Sequence, residues 1–131
     1  MSNPLKAFNW DFIISTNKDL CQKSGHQHGT TSDGYTPARK IFEDASLRPE
    51  MNMPEVAETL RKLHKVAPFL FLNGNTFSEV GKTMLALLSD SPSAKIRSLI
   101  GHHIAGTEIL TKEELAAAFD AENDAQSGNH P

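Results

Sequence analysis

Cysteine and histidine are the residues of this chain that could bind a metal ion or transfer protons near neutral pH. Cys21 is followed by His26 and His28 in a glycine-rich segment, and His103 belongs to an adjacent histidine pair. A thiolate and several imidazoles can together bind zinc or copper. Cys21, His26, His28 and His103 therefore support the hypothesis of a histidine-dependent metal-binding protein, although their spacing matches no standard closed zinc motif.

Other catalytic signatures are missing from the sequence. It has no Gly-x-Ser-x-Gly elbow, and Asn73-Gly74-Asn75 lacks the glycine spacing and the following lysine of a phosphate-binding loop. His103 shares a helical stripe with Ile96, Leu99 and Ile100, which is typical of a histidine at the edge of a core. We therefore predict that the protein is not an enzyme, and we assign it no catalytic residue and no cofactor.

Three aromatic residues near the amino terminus are the candidates for binding a partner. Phe8, Trp10 and Phe12 alternate with other residues up to Ile14, a pattern of period two that predicts a short strand or extended arm. Such an aromatic edge could dock onto another protein, although packing into the core is the commoner role of aromatic residues. The partner-binding prediction names Phe8, Trp10 and Phe12.

Composition narrows the class of protein and of partner. The chain has 131 residues, enough for one small domain, and a net charge of −3, which favours neither nucleic acid nor an anionic membrane surface. It has no apolar run of the roughly 20 residues that cross a bilayer and no segment resembling a secretory signal. Its one cysteine allows no intrachain disulfide. These features predict a cytoplasmic protein, and they leave its oligomeric state unknown.

Helix start and stop signals divide the rest of the chain. The glycine-rich segment 24–36 predicts a loop, and short helices are expected at 17–23 and 37–45. Stronger patterns predict helices from 54 to 67, from 77 after a capping box of Thr76 and Glu79, and from 92 to 105. A second capping box, Thr111 and Glu114, predicts a helix start there. Four apolar residues, 69–72, predict a short buried strand.

These elements predict a mainly α fold with one or two short β-strands, an α+β class, in a single small domain. The amino-terminal arm and glycine-rich loop are expected over 1–36 and the helical core domain over 37–120, with its clearest helices from about 54 to 120. Residues 121–131 carry no large apolar side chain and predict a flexible tail.

Part of the sequence resembles the fasciclin domain. The run from Leu99 to Gly106, followed by Leu110-Thr111 and Glu114-Leu115, is similar to the second motif of that family, and His103 matches the motif histidine. The resemblance extends at most over residues 54–119. Within it, His102 stands where the family usually has tyrosine, and Asn73-Gly74-Asn75 replaces its Ala-Pro-Thr turn. The resemblance implies adhesion or partner binding.

The sequence thus favours a non-enzymatic accessory protein that binds a protein partner or assembly. The first alternative is the metal-binding protein described above. A second alternative is a helix-turn-helix regulatory module formed by the helix pair 77–100, although Lys82, Lys95 and Arg97 give it little positive charge for DNA.

Overall fold

The computed structural model describes residues 3–88 and 94–127, with side chains to residue 86 and from 94 to 121. A short 3₁₀ helix, Pro4–Ala7, comes first. Six α-helices follow in these described ranges: α1 Trp10–Ser24, α2 Tyr35–Ser46, α3 Met53–Val66, α4 Asn73–Leu88, α5 Ala94–Ala105 and α6 Lys112–Ser127. The predicted single, mainly α domain is confirmed. The α+β class is wrong for the described residues, since they contain no strand.

The predicted strand between Phe8 and Ile14 is helical. Asn9 caps α1, because its side-chain oxygen accepts a hydrogen bond from the amide of Phe12 at 2.9 Å. This cap satisfies an amide of the first turn and fixes the helix start at Trp10. The helix then continues to Ser24, where Gly25 ends it in the left-handed conformation, with φ of 75°. The cap residue decides the local structure here, and the alternating aromatic pattern does not.

The predicted strand at residues 69–72 is replaced by a single antiparallel bridge between Thr30 and Phe69. Asn73 prevents the strand from extending. Its side chain donates to the carbonyl of Phe69 at 2.8 Å and accepts from the Phe69 amide at 3.0 Å, so both backbone groups are paired locally. Leu72 then takes the left-handed conformation, with φ of 64°, and α4 begins at once.

Helix α4 therefore begins at Asn73, four residues before the predicted start at Phe77. Thr76 is fully buried within the first turn, where its hydroxyl accepts a hydrogen bond from the Asn17 side chain. The predicted capping role of Thr76 is wrong for this reason. The inward face of α4 includes Phe77, Val80 and Met84, which are all fully buried.

The predicted boundaries of α3 and the predicted start of α6 are close to the observed ones. Asn52 and Glu55 form a capping box at the start of α3, with reciprocal hydrogen bonds of 2.9 and 3.0 Å. At α6, Thr111 and Glu114 form the predicted capping box, with reciprocal bonds of 3.0 and 3.1 Å. Helix α5 ends at Ala105, before Gly106 with φ of 79°. The connection 89–93 between α4 and α5 lies outside the described residues.

One core includes residues from the 3₁₀ helix and all six α-helices. Helices α4 and α5 pack most extensively against each other, and α3 packs against both. The side chains of α1 that were expected in an arm belong to the same core, because Trp10, Ile13 and Cys21 are buried. Part of the predicted tail is helical, since α6 continues to Ser127. Residues 128–131 lie outside the described ranges.

Candidate functional site

An open surface with several apolar side chains lies between the start of α1 and helix α2. It is a groove of about 580 Å³. Its apolar residues are Phe8, Trp10, Phe42 and Leu47, and its polar residues are Lys6, Asn9, Asp11, Arg39, Glu43 and Ser46. We call this surface the aromatic groove.

The elements around the aromatic groove explain its shape. The 3₁₀ helix ends at Ala7, and Phe8 and Asn9 are extended before α1 begins. The side-chain amide of Asn3 donates to the carbonyls of Ala45 and Arg48, at 2.9 and 3.0 Å, and so ties this segment to the end of α2. Leu47 lies in that linked region, with 78% of its surface exposed.

The three predicted partner-binding residues occupy different environments. Trp10 is buried, its indole N–H donates to the Tyr35 hydroxyl at 3.1 Å, and its ring packs against those of Phe42 and Phe69. Phe8 and Phe12 are half-buried and contact each other, with ring centroids 4.8 Å apart. Phe8 and Trp10 line the aromatic groove, whereas Phe12 is not one of its lining residues.

Sequence reasoning missed Phe42 and Leu47 as parts of this surface. Phe42 forms the buried floor of the groove, with only 2% of its surface exposed. Leu47 stands just after α2, at its C-cap, beside Arg48 and Pro49. Hydrogen bonds from Asn3, which lies more than 40 residues away, and the packing of Trp10 on Phe42 bring α2 and the amino terminus together.

A buried amide joins two of the residues that were proposed as metal ligands. Asn17 is fully buried, and its side-chain oxygen accepts from Nδ1 of His28 at 2.7 Å and from the Cys21 thiol at 3.6 Å. Its NH₂ group donates to the Phe71 carbonyl and to the Thr76 hydroxyl, at 2.8 and 3.0 Å. Burial raises the pKa of the Cys21 thiol, which keeps it protonated.

The four proposed metal ligands do not form one cluster. His26 is exposed and stacks on Phe71 at 4.9 Å, while His28 is turned toward Asn17. His103 lies in α5 and uses both ring nitrogens in hydrogen bonds to other groups. Across the described ranges, no group of three or more His, Cys, Asp or Glu side chains could hold a metal ion.

His103 forms a second polar centre. It is fully buried, its Nε2 lies 2.6 Å from Oε1 of Glu58, and its Nδ1 accepts the amide hydrogen of Leu110 at 3.0 Å. The side-chain partner of this ring is the Glu58 carboxylate. Glu58 was not predicted because it lies 45 positions earlier, on a helix whose polar face looked solvent-exposed.

The carboxylate of Glu58 also borders an open cavity of about 580 Å³ between α3 and α6. Lys62 and Lys112 line the same cavity, and an ion pair of Arg48 and Glu55, 2.7 Å long, lies at its edge. A backbone hydrogen bond from Asn52, and then the Arg48 guanidinium, lower the pKa of the Glu55 carboxyl. The charges around this cavity are mixed in sign, with no charge of one sign dominating.

No protein-family model, curated protein or solved structure matches the chain. None of the helices in the described ranges is long and apolar enough to span a bilayer. Function is therefore inferred from the geometry of the chain alone.

Proposed function

We propose that this chain is a non-enzymatic accessory protein that binds a protein partner through the aromatic groove. The observation that carries the proposal is Leu47, a large apolar side chain that is 78% exposed at the edge of a groove with an aromatic floor. Exposed apolar surface beside buried aromatic rings is typical of the centre of a protein interface.

The polar residues around the groove support a protein as the occupant. Arg39 and Glu43 form an ion pair 2.7 Å long, while Lys6 and Asp11 carry opposite charges. An apolar centre with a mixed polar rim resembles protein interfaces in general, whereas a nucleic acid would require a surplus of positive charge. A partner segment with one apolar side chain between polar neighbours would fit this surface.

Two features of the sequence agree with this proposal. The single cysteine, which cannot form an intrachain disulfide, favours the cytoplasm as the place of action. The resemblance to the fasciclin domain, in which His103 matches the motif histidine, implies a binding role as well.

Site-specific photo-crosslinking tests the groove. A photoreactive phenylalanine analogue replaces Leu47 in one variant and Ile109 in the control, because Ile109 is also a large exposed residue, at 61%, but lies outside the groove. We expect discrete crosslinked proteins from native lysate at position 47 and their absence at position 109. The crosslinks should disappear when Phe8→Asp is added to the position 47 variant. Equal products from both positions, or products that persist with Phe8→Asp, would refute the proposal.

A further inference from the structure

The protonation state of the His103 ring is fixed by its two hydrogen bonds. A backbone amide can only donate, so Nδ1 must present a lone pair to the N–H of Leu110, 3.0 Å away. Nε2 must then carry the single ring proton and donate it to the Glu58 carboxylate at 2.6 Å. The observed geometry therefore requires a neutral ring with its proton on Nε2.

The other histidines that form hydrogen bonds in the described ranges differ in this respect. His64 donates from Nδ1 to the carbonyl of Ile104 at 3.0 Å, and a second proton on Nε2 would leave that bond intact. His102 and His28 likewise direct Nδ1 at oxygen atoms, those of Thr107 and Asn17. The bond from the Leu110 amide to His103, by contrast, is lost when the ring gains its second proton.

We propose that His103 is a pH-sensitive latch that holds the connection between α5 and α6. A proton added at Nδ1 would place two N–H groups against each other where the Leu110 bond had been. Glu58 holds the resulting cation on the other side of the ring, so the ring stays in place and the chain around Leu110 moves away. This latch is independent of the proposed aromatic groove.

The charges around the latch act in opposite directions. The Glu58 carboxylate favours the second proton, while nearby cations oppose it. The Arg61 guanidinium donates to the His103 carbonyl at 3.1 Å and occupies the end of α5. Further charged or titratable side chains on the surrounding elements include Lys62 and His64 of α3, Lys82 of α4, His102 of α5, Glu108 of the connection and Lys112 of α6.

Release of Leu110 would affect the start of α6. Leu110 is half-buried against the core, directly before the capping box of Thr111 and Glu114. One turn later, Leu115 is fully buried. The latch thus lies between the end of α5 and the first buried residue of α6, and its opening would loosen the seating of α6 on α3.

Nuclear magnetic resonance of the wild-type protein tests the premise. The ¹⁵N signals of the His103 ring at about pH 8 should show an unprotonated Nδ1 and a protonated Nε2. A proton on Nδ1 at that pH would overturn the proposal. This measurement needs no variant and does not depend on how well any variant folds.

Hydrogen exchange tests the opening itself. Between about pH 8 and pH 5, where histidines gain their proton, the protection of the Leu110 amide should fall on the order of tenfold, after correction for intrinsic exchange. The amides of α1 and α4 should keep their protection. Unchanged protection of Leu110 after the His103 ring has become protonated, or an equal loss throughout the chain, would overturn the latch.

Two variants separate the roles of the residues. Glu58→Gln keeps an oxygen acceptor for Nε2–H but removes the negative charge, so the opening should move to lower pH. His102→Gln is the matched control, because this exposed neighbour makes no bond to the Leu110 amide, and the pH profile should stay as in the wild type. A Glu58→Gln profile identical to that of the wild type, or a profile abolished by His102→Gln, would refute the assignment.

Discussion

Asn17 shows how a single side chain can determine the position of several segments. Its buried amide binds a loop histidine, a helix hydroxyl and the carbonyl of Phe71, so that α1, α4 and the two connecting segments meet at one residue. No short-range pattern signals this role, because the partners lie up to 59 positions away. A polar residue in a helix is ordinarily expected to face solvent, which explains why it was missed.

Substitution of Asn17 should be costly. Asn17→Ala leaves the Phe71 carbonyl and the Thr76 hydroxyl without their buried donor, and we expect a loss of about 2 to 3 kcal/mol in the free energy of unfolding. Urea denaturation measures it. Asn75→Ala is the control, because Asn75 is exposed and should change stability by less than about 0.5 kcal/mol. Equal effects of the two substitutions would contradict the role given to Asn17.

The Cys21 thiol should react slowly in the folded protein. It is buried, with 1% of its surface exposed, and burial raises its pKa, so little reactive thiolate is present at neutral pH. We expect a thiol reagent to modify it at least about 100-fold faster in denaturant than in native buffer. A native rate close to that of a free cysteine peptide would show that the helix α1 face is open.

The Glu55 carboxylate makes a pH-dependent contribution to the free energy of unfolding. Its pKa is lowered in the folded state, so its stabilising effect is present above the ordinary carboxyl pKa and is lost as the pH falls through the folded value. Glu55→Gln should therefore lower stability by about 0.5 kcal/mol at pH 7, because the side chain is 40% exposed, and should have little effect near about pH 2. The free energy of unfolding of the wild type and of Glu55→Gln, determined at both pH values, measures this effect. A larger loss of stability in acid than at neutral pH would contradict the prediction.

At the scale of elements, the capping box of Thr111 and Glu114 correctly predicted the start of α6, because both residues contact amides three positions away. At α1 the equally local cap of Asn9 was overlooked in favour of the alternating aromatic pattern. The predicted start of α4 was wrong because Thr76 is bonded to a distant asparagine and because Leu72 adopts a left-handed backbone conformation that residues other than glycine rarely take. Neither fact has a signature within a short window of sequence.

The crossing of α4 and α5 depends on glycine at position 81. A Cβ there would lie 2.5 Å from Cδ1 of Ile104, a fully buried side chain. Gly81→Ala should cost about 1 to 3 kcal/mol, because overpacking outweighs the gain of about 1 kcal/mol in helix propensity. Thermal unfolding measures the change.

Gly101→Ala is the matched control on the facing helix. Its Cβ would approach Cε of Lys82 and Oγ of Ser78, at 2.7 and 2.8 Å, and both side chains are half-exposed and can rotate away. We expect no loss or a small gain in stability, since alanine favours a helix over glycine. A loss equal to that of Gly81→Ala would show that the α4 to α5 contact tolerates neither side chain.

At the scale of the whole molecule, the helical class could be predicted from sequence patterns, but the limits of the core could not. Residues 1–36 looked like an arm because of their aromatic alternation and glycine-rich loop. Yet Leu5, Trp10 and Ile13 share one core with α3 and α4. The reason is tertiary: Trp10 packs on Phe69, a contact that joins residues 59 positions apart in the numbering.

The candidate site was only partly predictable for the same reason. Phe8 and Trp10 were chosen for their residue types, and both line the aromatic groove. Leu47 and Phe42 come from α2 and its end, and their place beside Phe8 depends on the long-range bonds of Asn3. Residue type can indicate some members of a binding surface, whereas the remaining members depend on how the helices pack against one another.

A truncated chain tests whether the amino-terminal segment belongs to the core. A protein made of residues 37–120 should fail to unfold cooperatively, because removing the amino-terminal segment leaves its buried side chains without substitutes in the core. The buried apolar side chains that it loses include Leu5, Trp10, Ile13 and Cys21. Denaturation followed by circular dichroism measures this against the full chain. A sharp transition in the truncated protein would restore the predicted boundary at residue 36.

The fluorescence of the Trp10 indole reports only on the part of the core that surrounds this side chain. It is the one tryptophan of the chain, and its ring neighbours are Tyr35, Phe42 and Phe69. Its emission should shift to longer wavelength when this aromatic cluster meets water. A rearrangement around Leu110 would leave that emission unchanged. A pH titration followed only by tryptophan fluorescence would therefore show no transition, even while the connection between α5 and α6 was opening.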